Sequence, residues 1–261
     1  MHNADQLDAQ LSSPAMHLLT ADPRRYALFL DVDGTLLDIA LTPEMVVVPQ
    51  GLVELLVRIS NALDGAFAVL TGRQLTEIDA LLAPAKFVGA GVHGAEMRTA
   101  SGAQIARVAS ALPQSLIDDL IRDMQSLPGI IAEVKGPGLA VHYRLAPHLK
   151  AVLEAELRSL LAQYGNSLVI CPGRKLFEIL PAGHSKGTAL ETFSRLPVFH
   201  GRQPIMIGDD MGDVPALSVA QRLGGAGLRV GGEHFGHRDV ELESPTQVIA
   251  WLESLASRLG V

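Results

Sequence analysis

Cysteine is nearly absent from this chain of 261 residues: Cys171 stands alone, so internal disulfides and clusters of thiolate-bound metal are excluded. Positive charge is also short. Twenty-one Lys and Arg face 28 Asp and Glu, a net charge of −7, which argues against nucleic acid or an anionic membrane as the main partner. No run of about 18 consecutive apolar residues occurs, so no membrane span is expected. The opening Met1–Gln10 lacks a basic stretch followed by an apolar one, so no secretory signal is expected, and the expected location is the cytoplasm. Internal repeats and low-complexity tracts are lacking too. What the chain does have is 48% hydrophobic and 19% charged residues, the balance of a globular protein large enough for one big domain or two modest ones.

Residues 1–25 are polar and read as a loose N-terminal extension. Tyr26 to Leu30 is a continuous apolar run stopped by Asp31, the pattern of a strand buried on both faces. Apolar residues at helical spacing over 51–63, a second buried strand over 66–70, a helix over 74–82 and a short strand over 86–89 follow. This alternation predicts a parallel sheet with helices on both faces. The rhythm changes near residue 102. Strands are expected at 103–109, 130–135, 138–144, 167–171 and 175–180, with helices at 113–127 and 147–163. Gly136-Pro137-Gly138 and Pro172-Gly173 make short turns that antiparallel neighbours can use and parallel ones cannot. After Pro181 come a helix at 185–195, a strand at 204–207, a helix at 213–220, a strand at 225–230 and a closing helix at 246–258. The expected fold is α/β: a Rossmann-like parallel core of 26–102 and 183–261, with a smaller α/β cap inserted at 103–182.

Four segments carry chemistry. Asp31-Val32-Asp33-Gly34-Thr35 ends the first strand, and alternation starts Asp31 and Asp33 off on one face at the carboxyl end of the sheet. Two carboxylates there suit a nucleophile beside a proton donor with a divalent cation between them; the bland reading is a turn after a strand. Thr71-Gly72-Arg73 ends the second buried strand, where a hydroxyl and N–H groups could bind phosphoryl oxygens or simply form a loop. Lys186 follows the candidate cap residue Ser185, and a cation at a helix N-terminus opposes the dipole. An anionic substrate would explain it; a solvated lysine is the alternative. In Gly208-Asp209-Asp210-Met211-Gly212-Asp213, three carboxylates within five residues repel one another unless a cation is held among them. Such oxygen donors suit Mg²⁺.

The order of these four segments resembles the haloacid dehalogenase superfamily of phosphohydrolases, over about residues 26 to 230. The resemblance implies Asp31 as nucleophile, Asp33 as general acid and then base, and Thr71 and Lys186 on the phosphoryl group. It implies Mg²⁺ held by Asp31, Asp209 and the backbone carbonyl of Asp33, with Asp213 binding or orienting the metal shell. The insertion lies where members carry a substrate-selecting cap, and its details are similar to the trehalose-6-phosphate phosphatase family. Gly91-Val92-His93-Gly94-Ala95-Glu96 resembles that family's segment at the cap junction. Glu133-Val134-Lys135, the run Val141 to Arg144, and Gly173 to Glu178 resemble its cap strands. The implied substrate-binding set is Arg73, His93, Gly94, Glu133, Lys135, Arg144, Arg174 and Glu178. Glu133 and Lys135 share a strand face by alternation, and a cross-strand ion pair on a solvated sheet is the plain alternative. His142 and Tyr143 read as cap packing.

The chain departs from that family's usual pattern at Gly212 and Val214, where Thr and Glu are common, and at Leu180, where a basic residue is frequent. The expected partner is therefore a small sugar phosphate, with trehalose 6-phosphate ahead of sucrose 6-phosphate and mannosyl-3-phosphoglycerate. A phosphosugar mutase and a non-catalytic phosphosugar-binding protein stand behind, the latter opposed by the presence of both Asp31 and Asp33. No Gly-x-Gly-x-x-Gly follows the first strand, which disfavours a dinucleotide-dependent oxidoreductase.

Overall fold

A computed structural model describes residues 22–40, 45–173, 175–236 and 240–261. The expected extension over 1–25 thus lies mostly outside the described residues; its last three, Pro23–Arg25, form a single 3₁₀ turn.

Two sheets organise the described residues. In the larger, β1 (Tyr26–Leu30) lies between β10 (Gln203–Gly208) and β2 (Phe67–Leu70), with β11 (Ala226–Arg229) outside β10 and β3 (Gly89–Gly91) outside β2. All these pairs are parallel, in the register Leu30 to Ile207 and Leu30 to Val69. Every β1 residue is buried, as its unbroken apolar run requires, because helices cover both faces. These are α1 (Leu52–Ala62), α2 (Leu75–Leu81), α5 (Lys186–Phe193), α6 (Val214–Arg222) and α7 (Pro245–Leu259). Phe29, Phe193 and Phe199 stack at the centre, and Trp251 is fully enclosed.

The smaller sheet is antiparallel, in the order β6 (Ile131–Lys135), β7 (Gly138–His142), β9 (Leu176–Pro181), β8 (Leu168–Gly173). Helices α3 (Gln114–Gln125) and α4 (Lys150–Ala162) pack on it and close a second hydrophobic core around Leu116, Leu153, Phe177 and Ile179. Tyr143 belongs to that core, its ring 5.2 Å from Phe177.

The structure corrects the sequence reading in one region. The strand expected over 86–89 lies at Gly89–Gly91, and two antiparallel strands follow: β4 (Glu96–Arg98) and β5 (Ala106–Arg107). Both extend the large sheet, so the segment 103–109 pairs with the core rather than with the cap. Strand propensity placed β3 too early because its own residues are Gly-Ala-Gly. A Cβ on Gly91 would stand 2.7 Å from the carbonyl oxygen of Arg73, so close backbone approach selects glycine there.

Candidate active site

The carboxyl ends of β1, β2 and β10 converge; Asp31, Thr71 and Asp209 follow directly from them, and Lys186 and Asp213 reach the same place from the starts of helices. Asp31 comes one residue after β1, with its N–H donating to the Ile207 carbonyl at 3.0 Å. Asp209 comes one residue after β10, and Thr71 one after β2. Asp31, Thr71, Lys186, Asp209 and Asp213 are all buried.

Lys186 opens α5, whose start is fixed by a reciprocal cap: the Ser185 hydroxyl accepts from the Thr188 N–H, and the Thr188 hydroxyl accepts from the Ser185 N–H. The Lys186 Nζ donates to Asp31 Oδ1 at 2.6 Å and to Asp213 Oδ1 at 2.7 Å. These contacts explain a lysine at a helix N-terminus. Burial disfavours its charge, but Asp213 and Asp31 more than compensate and raise its pKa well above the ordinary lysine value. Burial acts oppositely on the acids. It pushes Asp31 up to about 7 despite Lys186, with Asp209 and Asp210 adding repulsion. Burial and then Asp31 push Asp213 up to about 7 as well.

Asp213 also organises its own loop, since its Oδ2 accepts from the N–H groups of Asp209 and Asp210, each at 3.1 Å. The Asp209 carboxylate receives the Thr35 hydroxyl at 3.4 Å and lies over Gly34. Gly34 has φ +90°, and a Cβ there would stand 2.2 Å from Asp209 Oδ2, so this position of the Asp31–Thr35 segment must be glycine.

One carboxylate oxygen from each of Asp31, Asp209 and Asp213 lies within 4.8 Å of the other two. This set fits a hard divalent cation. All donors are oxygen, the cradle over Gly34 is shaped for a carboxylate, and two acids sit far above their ordinary range, as buried carboxylates do when one shared lysine only partly offsets their charge.

Asp33 turns toward Arg73, which grips both carboxylate oxygens: Nε to Oδ2 at 2.6 Å and Nη2 to Oδ1 at 2.7 Å. The Arg73 N–H donates to the Thr71 hydroxyl at 3.0 Å, leaving that hydroxyl's own proton to donate elsewhere. Loop 71–73 is laced to the short 3₁₀ turn that follows β3, with the His93 N–H on the Thr71 carbonyl at 3.0 Å and the Val92 N–H on the Arg73 carbonyl at 2.9 Å. These bonds hold Val92 and His93 at φ +46° and +52°, a strained region for non-glycine residues.

The cap is closed over this end of the sheet. Its Glu178, buried on β9, meets His93 Nε2 at 2.5 Å. Burial alone would lower the His93 pKa, but the Glu178 charge and hydrogen bond reverse this and raise it. Burial likewise would raise Glu178, and His93 and Lys135 bring it below the ordinary value. Arg144 donates to the Ala40 carbonyl at 3.4 Å, a second bridge from cap to core. Glu133 and Lys135 do share a face of β6 within electrostatic reach of Glu77 on α2. Glu133 also meets His142 on the neighbouring strand at 3.2 Å, so the cross-strand pairing considered from sequence is present, with His142 as partner. Gly94, at φ +99°, lies against the Ser185 carbonyl, where a Cβ would approach to 2.7 Å; this is a packing position beside α5. Arg174 lies outside the described residues.

Sequence reasoning missed three residues. Glu77 is half-buried beside Arg73, and burial raises its pKa. Glu96 is buried and accepts from the first N–H of α2 at 3.3 Å. His234 has a buried Nε2 with no hydrogen-bond partner among the described residues and acts electrostatically on Asp210. The helical position of Glu77, four residues after Arg73, was a usable signal, and Glu96 closes the Gly91–Glu96 segment already singled out; for His234 no local pattern existed.

Residues 29–240 match the trehalose-phosphatase family. The chain is 40% identical over 224 residues to a probable trehalose-phosphate phosphatase of Sinorhizobium fredii, covering 86% of this chain and 84% of that one. It is 36% identical over 237 residues to the trehalose-6-phosphate phosphatase of Escherichia coli, covering 90% and 88%. Its fold is similar to that of the C-terminal domain of a Candida albicans trehalose-6-phosphate phosphatase, with TM-score 0.76, 21% identity, and 93% and 96% covered. A haloacid dehalogenase superfamily phosphatase from Bacteroides thetaiotaomicron superposes with TM-score 0.55 and 19% identity, over 92% and 96% of the two chains.

Proposed function

The chain belongs to the trehalose-phosphatase family, within the haloacid dehalogenase superfamily, and from that premise we propose that it is a Mg²⁺-dependent phosphatase releasing trehalose and phosphate from trehalose 6-phosphate. The observation that carries the reading is the buried meeting of Asp31, Asp209, Asp213 and Lys186 at the ends of β1 and β10. The domain division belongs to it too: a core interrupted by a substrate-selecting cap that begins after β5. So does action in the cytoplasm, where the charge of a phosphorylated sugar keeps it from crossing a membrane.

In this reading an Asp31 carboxylate oxygen attacks phosphorus. The bond from phosphorus to the sugar oxygen breaks, and Asp33 gives its proton to the departing alkoxide, which is a poor leaving group without one. Asp33 then takes a proton from water as the water oxygen attacks the aspartyl-phosphate. The bond to Asp31 breaks with its electron pair returning to the carboxylate. Thr71 has a hydroxyl proton to spare for a phosphoryl oxygen, and Lys186 offsets charge on the transferring group. Asp31, Asp209, the Asp33 carbonyl and Asp213 would hold Mg²⁺, which supplies neutralisation of the phosphoryl charge when bound. Glu133, Lys135, Arg144, Arg174, Glu178 and His93 would face the sugar.

The test is phosphate release from trehalose 6-phosphate, sucrose 6-phosphate, glucose 6-phosphate and mannosyl-3-phosphoglycerate. Trehalose 6-phosphate should lead by a wide margin; equal rates on all four would overturn the substrate and leave the phosphatase chemistry standing.

A further inference from the structure

Arg73 is engaged with a core carboxylate. Its guanidinium takes both oxygens of Asp33 at 2.6 and 2.7 Å, and its side chain is largely buried. We propose that Arg73 is a positioning residue for Asp33, and that it fixes the acid/base carboxylate relative to Thr71 rather than binding substrate. The inference rests on the acid/base role of Asp33 given above. A single contact would leave the carboxylate free to rotate, whereas a two-point fork fixes its plane and the direction of its remaining lone pairs. The fork itself is anchored. The Arg73 N–H is tied to the Thr71 hydroxyl, its carbonyl to Val92, and its Nη1 lies 4.0 Å from Glu77 one helical turn on. Thr71 and Asp33 follow different strands, β2 and β1, and Arg73, two residues after Thr71 in the same loop, grips Asp33.

Displacing a reacting group by about 1 Å can cost on the order of a hundredfold in rate. Removing the fork should therefore slow each step that needs Asp33 and spare the step that does not. With trehalose 6-phosphate both halves of the reaction need it: a proton to the alkoxide, then a proton from water. With 4-nitrophenyl phosphate the leaving phenolate departs unprotonated, so only hydrolysis of the aspartyl-phosphate needs it.

The experiment is rapid-quench kinetics on the Mg²⁺-loaded enzyme, comparing wild type with Arg73→Ala, Arg73→Lys and Asp33→Asn. Arg73→Ala should lower kcat on trehalose 6-phosphate about 10- to 100-fold with KM changed less than threefold. On 4-nitrophenyl phosphate it should give a burst of nitrophenolate near one equivalent per enzyme, above wild type, with acid-stable phosphoenzyme accumulating. Arg73→Lys, which keeps one contact and guards against a folding defect in the alanine variant, should fall between. A rise in KM with kcat unchanged, or a fall in kcat without a burst, would overturn the positioning role. If Asp33→Asn gives the burst and neither Arg73 variant does, the inference about Arg73 alone fails. If Asp33→Asn leaves turnover intact, the acid/base reading of Asp33 fails with it.

Discussion

Asp31 and Asp213 press on the same ammonium group, yet burial outweighs it and leaves both carboxyls near 7. In the metal-free protein the native state therefore favours protons that an unfolded aspartate, with its ordinary value of 3.8, would have given up. Stability from these groups is complete below that ordinary value and is lost as pH rises through about 7. A chelated sample should melt lower at pH 8 than at pH 5.5, and Mg²⁺ should recover more at pH 8, where no proton has to be displaced. Calorimetry in buffers of different ionisation enthalpy should also record proton release on Mg²⁺ binding near pH 6. Identical melting shifts on Mg²⁺ addition at both pH values would contradict this account. Asp31→Asn should abolish turnover while circular dichroism stays native, since the amide is nearly isosteric but cannot form an acyl phosphate; appreciable residual turnover would make Asp31 a ligand only. Asp31, Asp209 and Lys186 were readable from sequence because each directly follows an apolar strand or opens a capped helix, and Asp213 because it lies in the same acidic loop as Asp209. Arg73 was readable as important but not as the partner of Asp33, since the pairing joins side chains 40 positions apart on neighbouring strands.

Among the elements, the long and continuous ones were legible: β1, β10, α5 and α7 lie within a residue or two of where the apolar pattern puts them. The strand β4 was not, because three residues give no period; β3 was placed early because it is chosen for close approach instead of propensity, and β5 was expected as a strand but not as a partner of the large sheet. Strand β6 offers the sharpest element-scale test. Glu133 is half-exposed and paired with His142, so it contributes little to folding. Glu133→Ala should lower kcat/KM for trehalose 6-phosphate by about 10- to 100-fold, as expected on losing one hydrogen-bonding group to substrate. Hydrolysis of 4-nitrophenyl phosphate should barely change. Equal slowing of both substrates would assign Glu133 to cap closure.

Across the whole molecule, core and cap were visible as two kinds of connection, but their closure was not, because His93 and Glu178 meet only in three dimensions. The pair's stability has its own pH window. The raised His93 contributes below the ordinary histidine value of 6.5 and loses its contribution as pH climbs through the elevated one; the lowered Glu178 contributes above the ordinary glutamate value of 4.5 and loses its contribution as pH falls through the lowered one. His93→Asn tolerates the positive φ while removing the charge. It should speed hydrogen exchange in β9 and at the β6–β7 turn without altering β1 or β10, and unchanged exchange there would show that other contacts hold the cap shut.

The position of β1 has a consequence for synthesis. It pairs on one side with β2, made soon after it, and on the other with β10, about 177 residues later, after the whole cap. A growing chain that has folded everything up to β9 still presents one flank of its most hydrophobic strand unpaired, the kind of edge that recruits other chains. The same late segment delivers Lys186, Asp209 and Asp213, so the catalytic apparatus and the seal on the sheet arrive together. A ribosome stalled near residue 182 would therefore carry a polypeptide with its nucleophile in place, incapable of turnover and prone to aggregate, which makes the synthesis that precedes β10 the vulnerable interval for this fold.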